Sequence, residues 1–262
     1  MSDLCLPYSL SKYDKTVVKY TSIFVVEMLG VLIFHFIGSA SATPWTNALC
    51  LTAMVFYCAK VSAAHLNPAV SLCFMILGYN NPFEMVLYWM AQITGALISS
   101  MLLVGVIPVL DIRGGNQLYS GCFTANELLS NSQIFAWELI CTTILLLSIF
   151  SVVWHTHNKD GYGNTGPMII GITLAACAFA SSTWTGGAMN PARVIGSSVV
   201  FNCNSKMGYY ILGELFAGAF ASILILPWYG LNVDPWYFKT DGRAPTMNSR
   251  RFDFISTKQT TR

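Results

Sequence analysis

His65-Leu66-Asn67-Pro68-Ala69-Val70 and Ala188-Met189-Asn190-Pro191-Ala192-Arg193-Val194 are two copies of one short pattern, one in each half of a 262-residue chain. Each is followed by an apolar stretch, Val70 to Leu77 and Val194 to Phe201, too short for a bilayer crossing, which takes about 20 residues. Asparagine is a strong N-cap, and proline suits the first helical position because its missing N–H would be unpaired there anyway. The two copies therefore predict half-helices that begin at the Asn-Pro pairs.

The rest of the chain is built for lipid. It is 54% hydrophobic and 10% charged, against about 25% charged in soluble domains, which excludes a water-soluble globule and a disordered chain. A net charge of +2 offers nothing to a nucleic acid. Charge-free stretches, divided by turn chemistry at Ala42-Thr43-Pro44, Asn80-Asn81-Pro82 and Gly161 to Pro167, predict six spans at about 20–41, 46–63, 83–107, 132–154, 167–184 and 208–230. Lys12, Lys15 and Lys19 precede the first span without a cleavage pattern, so that helix reads as an uncleaved anchor with a cytoplasmic flank. Six spans then put eleven of the 14 Lys and Arg residues on the cytoplasmic side, among them Lys60, Lys159 and the tail from Lys239 to Arg262, and leave Arg113 and Lys206 outside.

Three spans and a half-helix per half, repeated with opposite topology because three is odd, give an inverted repeat. Glu27 and Glu138 head the two halves, and Tyr88-Trp89…Gly95-Ala96 is echoed by Tyr209-Tyr210…Gly218-Ala219, small residues that let helices approach closely. Irregular backbone at membrane depth is tolerated where it is buried in protein or lines a wet cavity, so a cavity is expected. Half-helices entering from opposite faces bring two positive dipole ends together near the midplane, which repels cations. The amides of Asn67 and Asn190 can each donate an N–H to a passing oxygen, and Arg193 adds a fixed charge inside an apolar stretch. A single file of small neutral molecules suits such a site.

Cys50, Cys58, Cys73, Cys141 and Cys177 sit in apolar runs and read as free thiols. Cys122 and Cys203 lie in connections that could share one face, where a bridge depends on a geometry the sequence leaves open. His65 is expected to orient its loop, His35 to be a packed helix histidine, and Trp89, Trp154, Trp228 and Trp236 to anchor span ends. Glu214 has no role here beyond a buried hydrogen bond.

The two Asn-Pro-Ala boxes, with the Arg after the second and a Glu in each half, resemble those of the aquaporin (major intrinsic protein) family over residues 20 to 230. The resemblance implies an all-α membrane protein with the aquaporin fold: six transmembrane helices plus two re-entrant half-helices in an inverted repeat. The channel domain would span 20–230, with repeats at about 20–107 and 132–230, between cytoplasmic tails at 1–19 and 231–262. It further implies a homotetramer in the lipid bilayer, each subunit with its own pore. That pore would be formed by the boxes Asn67, Pro68, Ala69 and Asn190, Pro191, Ala192. Carbonyls of Ala63, Ala64, His65 and Gly186, Gly187, Ala188 would line the file, and Glu27 and Glu138 would tether the loops. The narrowest filter would be Asn47, Ala178, Gly187 and Arg193.

Water pores of the family tend to carry an aromatic and a His at the first two filter positions, and glycerol pores two aromatics with an Asp after the Arg. This chain has neither set, so the constriction is expected to be wider and richer in hydrogen bonds than a water-only filter. Gly-Gly-x-Met-Asn-Pro-Ala-Arg is most similar to the aquaporin-eight-like branch, which implies water together with ammonia or hydrogen peroxide, although Asn47 stands where that branch has a His. The expected activity is passive conduction of small neutral solutes with no cofactor, metal or nucleic acid, in the plasma membrane or an intracellular one. No catalytic triad, nucleotide fingerprint or spaced metal-ligand set points to an enzyme. The rivals are a glycerol or urea pore, a closed-pore adhesion or scaffold protein, and an antiporter using Glu27 or Glu138 as its proton site.

Overall fold

Proline and asparagine set where the helices begin. The computed structural model describes residues 15–41, 43–108, 121–155 and 165–229, in which eight helices follow one another. They are α1 (Lys15–Ser39), α2 (Pro44–Ser62), α3 (Pro68–Ile76), α4 (Pro82–Val106), α5 (Asn131–His155), α6 (Gly166–Ser181), α7 (Pro191–Phe201) and α8 (Met207–Tyr229). Proline stands in the first turn of α2, α3, α4, α6 and α7. Asn81 and Glu84 form a reciprocal capping box at the start of α4, and Ser130 and Gln133 do the same before α5, with backbone-to-side-chain bonds of 2.8 and 3.3 Å. Arg113, His157, Lys159, Trp236 and the basic tail lie outside the described residues, as do the side chains of Trp154, His155 and Trp228.

The expected spans and half-helices are all present, with shifted ends. α1 begins at Lys15, a turn earlier than the apolar pattern suggests, because Lys19 pairs with Glu84 of α4 at 2.6 Å and extends the helix into polar surroundings. α6 stops at Ser181, short of 184, because the Ser181 carbonyl turns back to accept the N–H groups of Trp184, Thr185 and Gly186, each at 3.0 Å. By length and composition α1, α4, α5 and α8 can cross a membrane. The shorter or more polar α2 and α6 pack on each other between the halves.

The inverted repeat is visible in which helices touch. α1 packs on α4 and α2, and α5 packs correspondingly on α8 and α6. Each half-helix reaches into the other half: α3 lies on α8 and α7 on α4. Glycines mark the tightest approaches. Gly196 of α7 meets Ala96 of α4, and Gly218 of α8 meets Ala69 and Leu72 of α3. These contacts set the register of the repeat. Ala96 matches Gly218, and the fully buried Ala217 matches Gly95, whereas Ala219, which the sequence pairs with Ala96, is only half-buried. The aromatic step is offset likewise, since Tyr88 and Tyr210 make equivalent bonds, to the carbonyls of Ser62 and Thr185.

Gly95 of α4 lies against the main chain of α1, where an added Cβ would sit 2.2 Å from the Met28 carbonyl oxygen. Backbone cannot yield as a side-chain tip can, and overpacking of this kind costs about 1–3 kcal/mol. Gly95→Ala should therefore lower the thermal unfolding midpoint in detergent by several degrees. Gly105→Ala on the same helix, whose Cβ would meet nothing within 4 Å, should hold or raise it. Equal midpoints for the two variants would contradict this packing.

Candidate functional site

The two boxes meet. Asn67 and Asn190 have extended backbone and cap α3 and α7, each side-chain oxygen accepting the N–H two residues on, from Ala69 at 2.9 Å and Ala192 at 3.0 Å. Their amide nitrogens cross over. Asn67 Nδ2 donates to the Met189 carbonyl at 2.7 Å, and Asn190 Nδ2 donates to the Leu66 carbonyl at 2.8 Å. The N-termini of the two half-helices are thus tied together in the protein interior, and each amide keeps one further N–H. Pro68, Ala69, Pro191 and Ala192 are all buried in the first turns.

Each box is approached by backbone that bends the same way twice. Ala63, Ala64 and Leu66 have φ of 66°, 53° and 50°, and Gly186, Gly187 and Met189 have 81°, 65° and 52°. A left-handed conformation costs a residue with a Cβ roughly 1–2 kcal/mol, so such strain persists only where the surroundings fix it. The surroundings are the carboxyls. Glu27 Oε1 accepts the Ser62 hydroxyl at 2.6 Å and the His65 N–H at 2.9 Å, while Oε2 accepts the Leu66 N–H at 2.7 Å and Gln92 Nε2 at 2.9 Å. Glu138 does the same in the second half. Its Oε1 accepts the Thr185 hydroxyl at 2.6 Å and the Ala188 N–H at 3.4 Å, and its Oε2 the Met189 N–H at 2.9 Å. Both glutamates are fully buried.

Glu214, for which the sequence offers only a buried hydrogen bond, accepts the Asn190 N–H at 2.7 Å. It lies four residues after Tyr210, as Gln92 lies four after Tyr88. One half therefore steadies its box with an amide donor and the other with a carboxyl acceptor. Trp89 is more than an interfacial anchor, because its indole N–H donates to the Pro68 carbonyl at 2.9 Å. His65 is buried, bonded through Nδ1 to Ser71 Oγ at 3.1 Å and stacked on Tyr88 with ring centroids 4.3 Å apart. This is an orienting position.

Of the four expected filter residues, Gly187 lies beside Ala178, and Asn47 and Arg193 both approach Gly38. Gly187 lies against Ala178, where an added Cβ would be 3.0 Å from the Ala178 Cα. Asn47 and Arg193 converge on Gly38 of α1, where an added Cβ would be 2.0 Å from Asn47 Oδ1 and 3.4 Å from Arg193 Nη2. Asn47 Nδ2 donates to the Gly38 carbonyl at 3.3 Å, and its buried Oδ1 has no partner among the described residues. The Arg193 side chain is 3% exposed, with its guanidinium carbon 4.7 Å from the Phe34 ring centroid and 5.1 Å from that of Phe123. Its Nε donates to His35 Nδ1 at 3.4 Å. Phe34 and Phe123 carry no sequence signal for this role, and His35 reads only as a packed helix histidine. Cys122 is bridged to Cys203 with Cα atoms 6.2 Å apart, and the other described cysteines are free. Among the described residues no cluster of His, Cys, Asp or Glu could hold a metal ion.

Over residues 15–225 the chain matches the major intrinsic protein family. It belongs to that family. This aquaporin-type protein is an integral, multi-pass membrane channel and not an enzyme. It is 31% identical over 218 residues to Aquaporin-8 of Notomys alexis, covering 79% of this chain and 82% of that one. It is 29% identical to Aquaporin-8 of Mus musculus over the same shares, and 27% identical over 225 residues to Aquaporin TIP2-3 of Arabidopsis thaliana, covering 77% and 84%. The X-ray structure of the aquaglyceroporin from Plasmodium falciparum superposes with a TM-score of 0.64 at 23% identity, covering 79% of this chain and 98% of that one. That is a likeness of fold.

In this aquaporin-type channel the left-handed turn before the second box depends on glycine more than the first does. A Cβ at Gly187 would lie 2.4 Å from Ser181 Oγ on top of the strained φ of 65°. Gly187→Ala should lower the thermal midpoint and slow conduction. At the matching position, Ala64→Gly should relieve strain and leave the midpoint at or above the parent's. A Gly187→Ala midpoint no lower than the parent's is the outcome against this account.

Proposed function

We propose that the protein is a passive channel for water first, together with hydrogen peroxide and ammonia, that excludes ions and protons. The observation that carries this reading is the crossed pair of amides, Asn67 to Met189 and Asn190 to Leu66, which sets two half-helix N-termini against each other. Each terminus presents roughly half a positive charge, so a cation near the boxes meets repulsion from both sides. Each asparagine keeps one N–H for a neutral guest. Carbonyls of Ala63, Ala64, His65 and of Gly186, Gly187, Ala188 supply acceptors on either side, and a file of small hydrogen-bonding molecules can pass between them.

Asn47, Ala178, Gly187 and Arg193 form the filter in this reading. Ala178 and Gly187 leave room, while Asn47 and Arg193 offer an acceptor and donors, which favours solutes of about the size and polarity of water. The small pair is the one observation that favours the second reading, a glycerol or urea channel. Glu27 and Glu138 hold the loops, and their oxygens are engaged by loop donors, which leaves an antiporter no obvious proton site. The functional unit is a homotetramer with a pore per subunit, spanning residues 20–230, with both termini cytoplasmic in the plasma membrane.

Vesicles holding the purified protein test the ordering. Osmotic water flux should rise severalfold over bare lipid, peroxide and ammonia should pass, and glycerol should lag. Glycerol permeability equal to that of water would reject the preferred solute order, and no acceleration at all would favour a closed scaffold. Arg193→Val should relax selectivity toward larger or cationic solutes, and an unchanged solute profile would remove Arg193 from the filter.

A further inference from the structure

Within α1, His35 has its imidazole fully buried and committed at both nitrogens. Its Nε2 lies 3.0 Å from Ser100 Oγ of α4, and its Nδ1 lies 3.3 Å from Ser39 Oγ and 3.4 Å from Arg193 Nε. Arginine has no acceptor to offer, so Nδ1 must supply the lone pair, and the ring proton sits on Nε2 facing Ser100. The ring cannot turn freely. Gly121, at φ of 70°, packs so closely that an added Cβ would lie 3.2 Å from His35 Cε1 and 2.0 Å from Ser39 Oγ.

The lone ion pair among the described residues joins Lys19 and Glu84, so no carboxylate among them grips the guanidinium. Its surroundings are the Phe34 and Phe123 rings, the bare Cα of Gly38 and the His35 lone pair. Aromatic faces attract a cation without fixing its rotation about the ring normal. Among the described residues, His35 Nδ1 is the one side-chain acceptor that Arg193 donates to. Phe34, His35 and Gly38 of α1, with Phe123, thus form the seat of the arginine that the channel reading places in its filter.

We infer that His35 is a positioning residue for Arg193, holding Nε so that the remaining guanidinium N–H groups face the solute path beside Asn47 and discriminate between solutes. The inference rests on the channel reading and adds a member to its filter from a helix that supplies none of the four expected residues. Without the Nδ1 acceptor the long side chain is free to rotate, and the donors are no longer set at one height for a passing oxygen.

Flux of water and glycerol through vesicles of the full chain reads this out as a ratio. His35→Leu should raise the glycerol-to-water ratio by roughly three- to tenfold, the scale of one ordinary hydrogen bond. The rise should vanish when the change is made in Arg193→Val, because a residue acting through Arg193 has nothing left to position. His35→Asn places an amide oxygen near the Nδ1 site and should restore the parent's ratio, whereas His35→Gln reaches Ser100 without that acceptor and should behave like His35→Leu. The Asn and Gln variants keep the comparison open if the leucine variant does not fold. Matching ratios for the Asn and Gln variants, or a rise that persists in Arg193→Val, would overturn the inference while water conduction stands. A parent that accelerates no water flux would overturn the channel reading and the inference with it.

Discussion

Two carboxamides that reach across the molecule to each other's backbone are the constraint on which the remaining structure turns. Asn67 and Asn190 each cap their own half-helix with the oxygen and bind the opposite loop with the nitrogen. One side chain thereby satisfies a helix terminus and joins two segments more than 120 residues apart. Both half-helices must begin at the same depth for this to happen. The left-handed turns ahead of the boxes, the buried glutamates that hold them and the glycine contacts on the half-helices all serve that end.

The two halves solve the same problem with different residues. Ser62 and Thr185 place equivalent hydroxyls on Glu27 and Glu138, and each also accepts the N–H two residues on. The turn is built with alanines in the first half and glycines in the second. The box is steadied from behind by Gln92 through Glu27 in one half and by Glu214 directly in the other. Geometry has been kept while composition drifted, as expected where a hydrogen-bond pattern and not a particular side chain is what must be preserved.

Much of this is legible in the sequence alone. Charge-free runs and turn residues place the helices within a few positions, and the paired boxes require an inverted repeat because nothing else explains two capped stretches too short to cross. The carboxyl tethers at Glu27 and Glu138 are what the resemblance to the family implies. His35 was not legible, because a lone histidine in an apolar helix looks the same whether it packs against serine or arginine, and its partner lies 158 residues away. The register of Ala96 against Gly218 was blurred because both halves offer adjacent small residues, and only contact with the half-helices separates them. The Cys122–Cys203 link needed a Cα separation that spacing along the chain does not encode.

The exchange of half-helices between repeats bears on how the chain is made. Synthesis proceeds from the N-terminus, so α3 emerges with its own half while α8, its main support, is the last of the described helices to leave the ribosome. Until Met189 is made, the Asn67 amide has no opposite carbonyl to bind, in a setting where lipid cannot satisfy it. The earlier repeat by itself lacks both the carbonyl that Asn67 binds and the helix on which α3 rests.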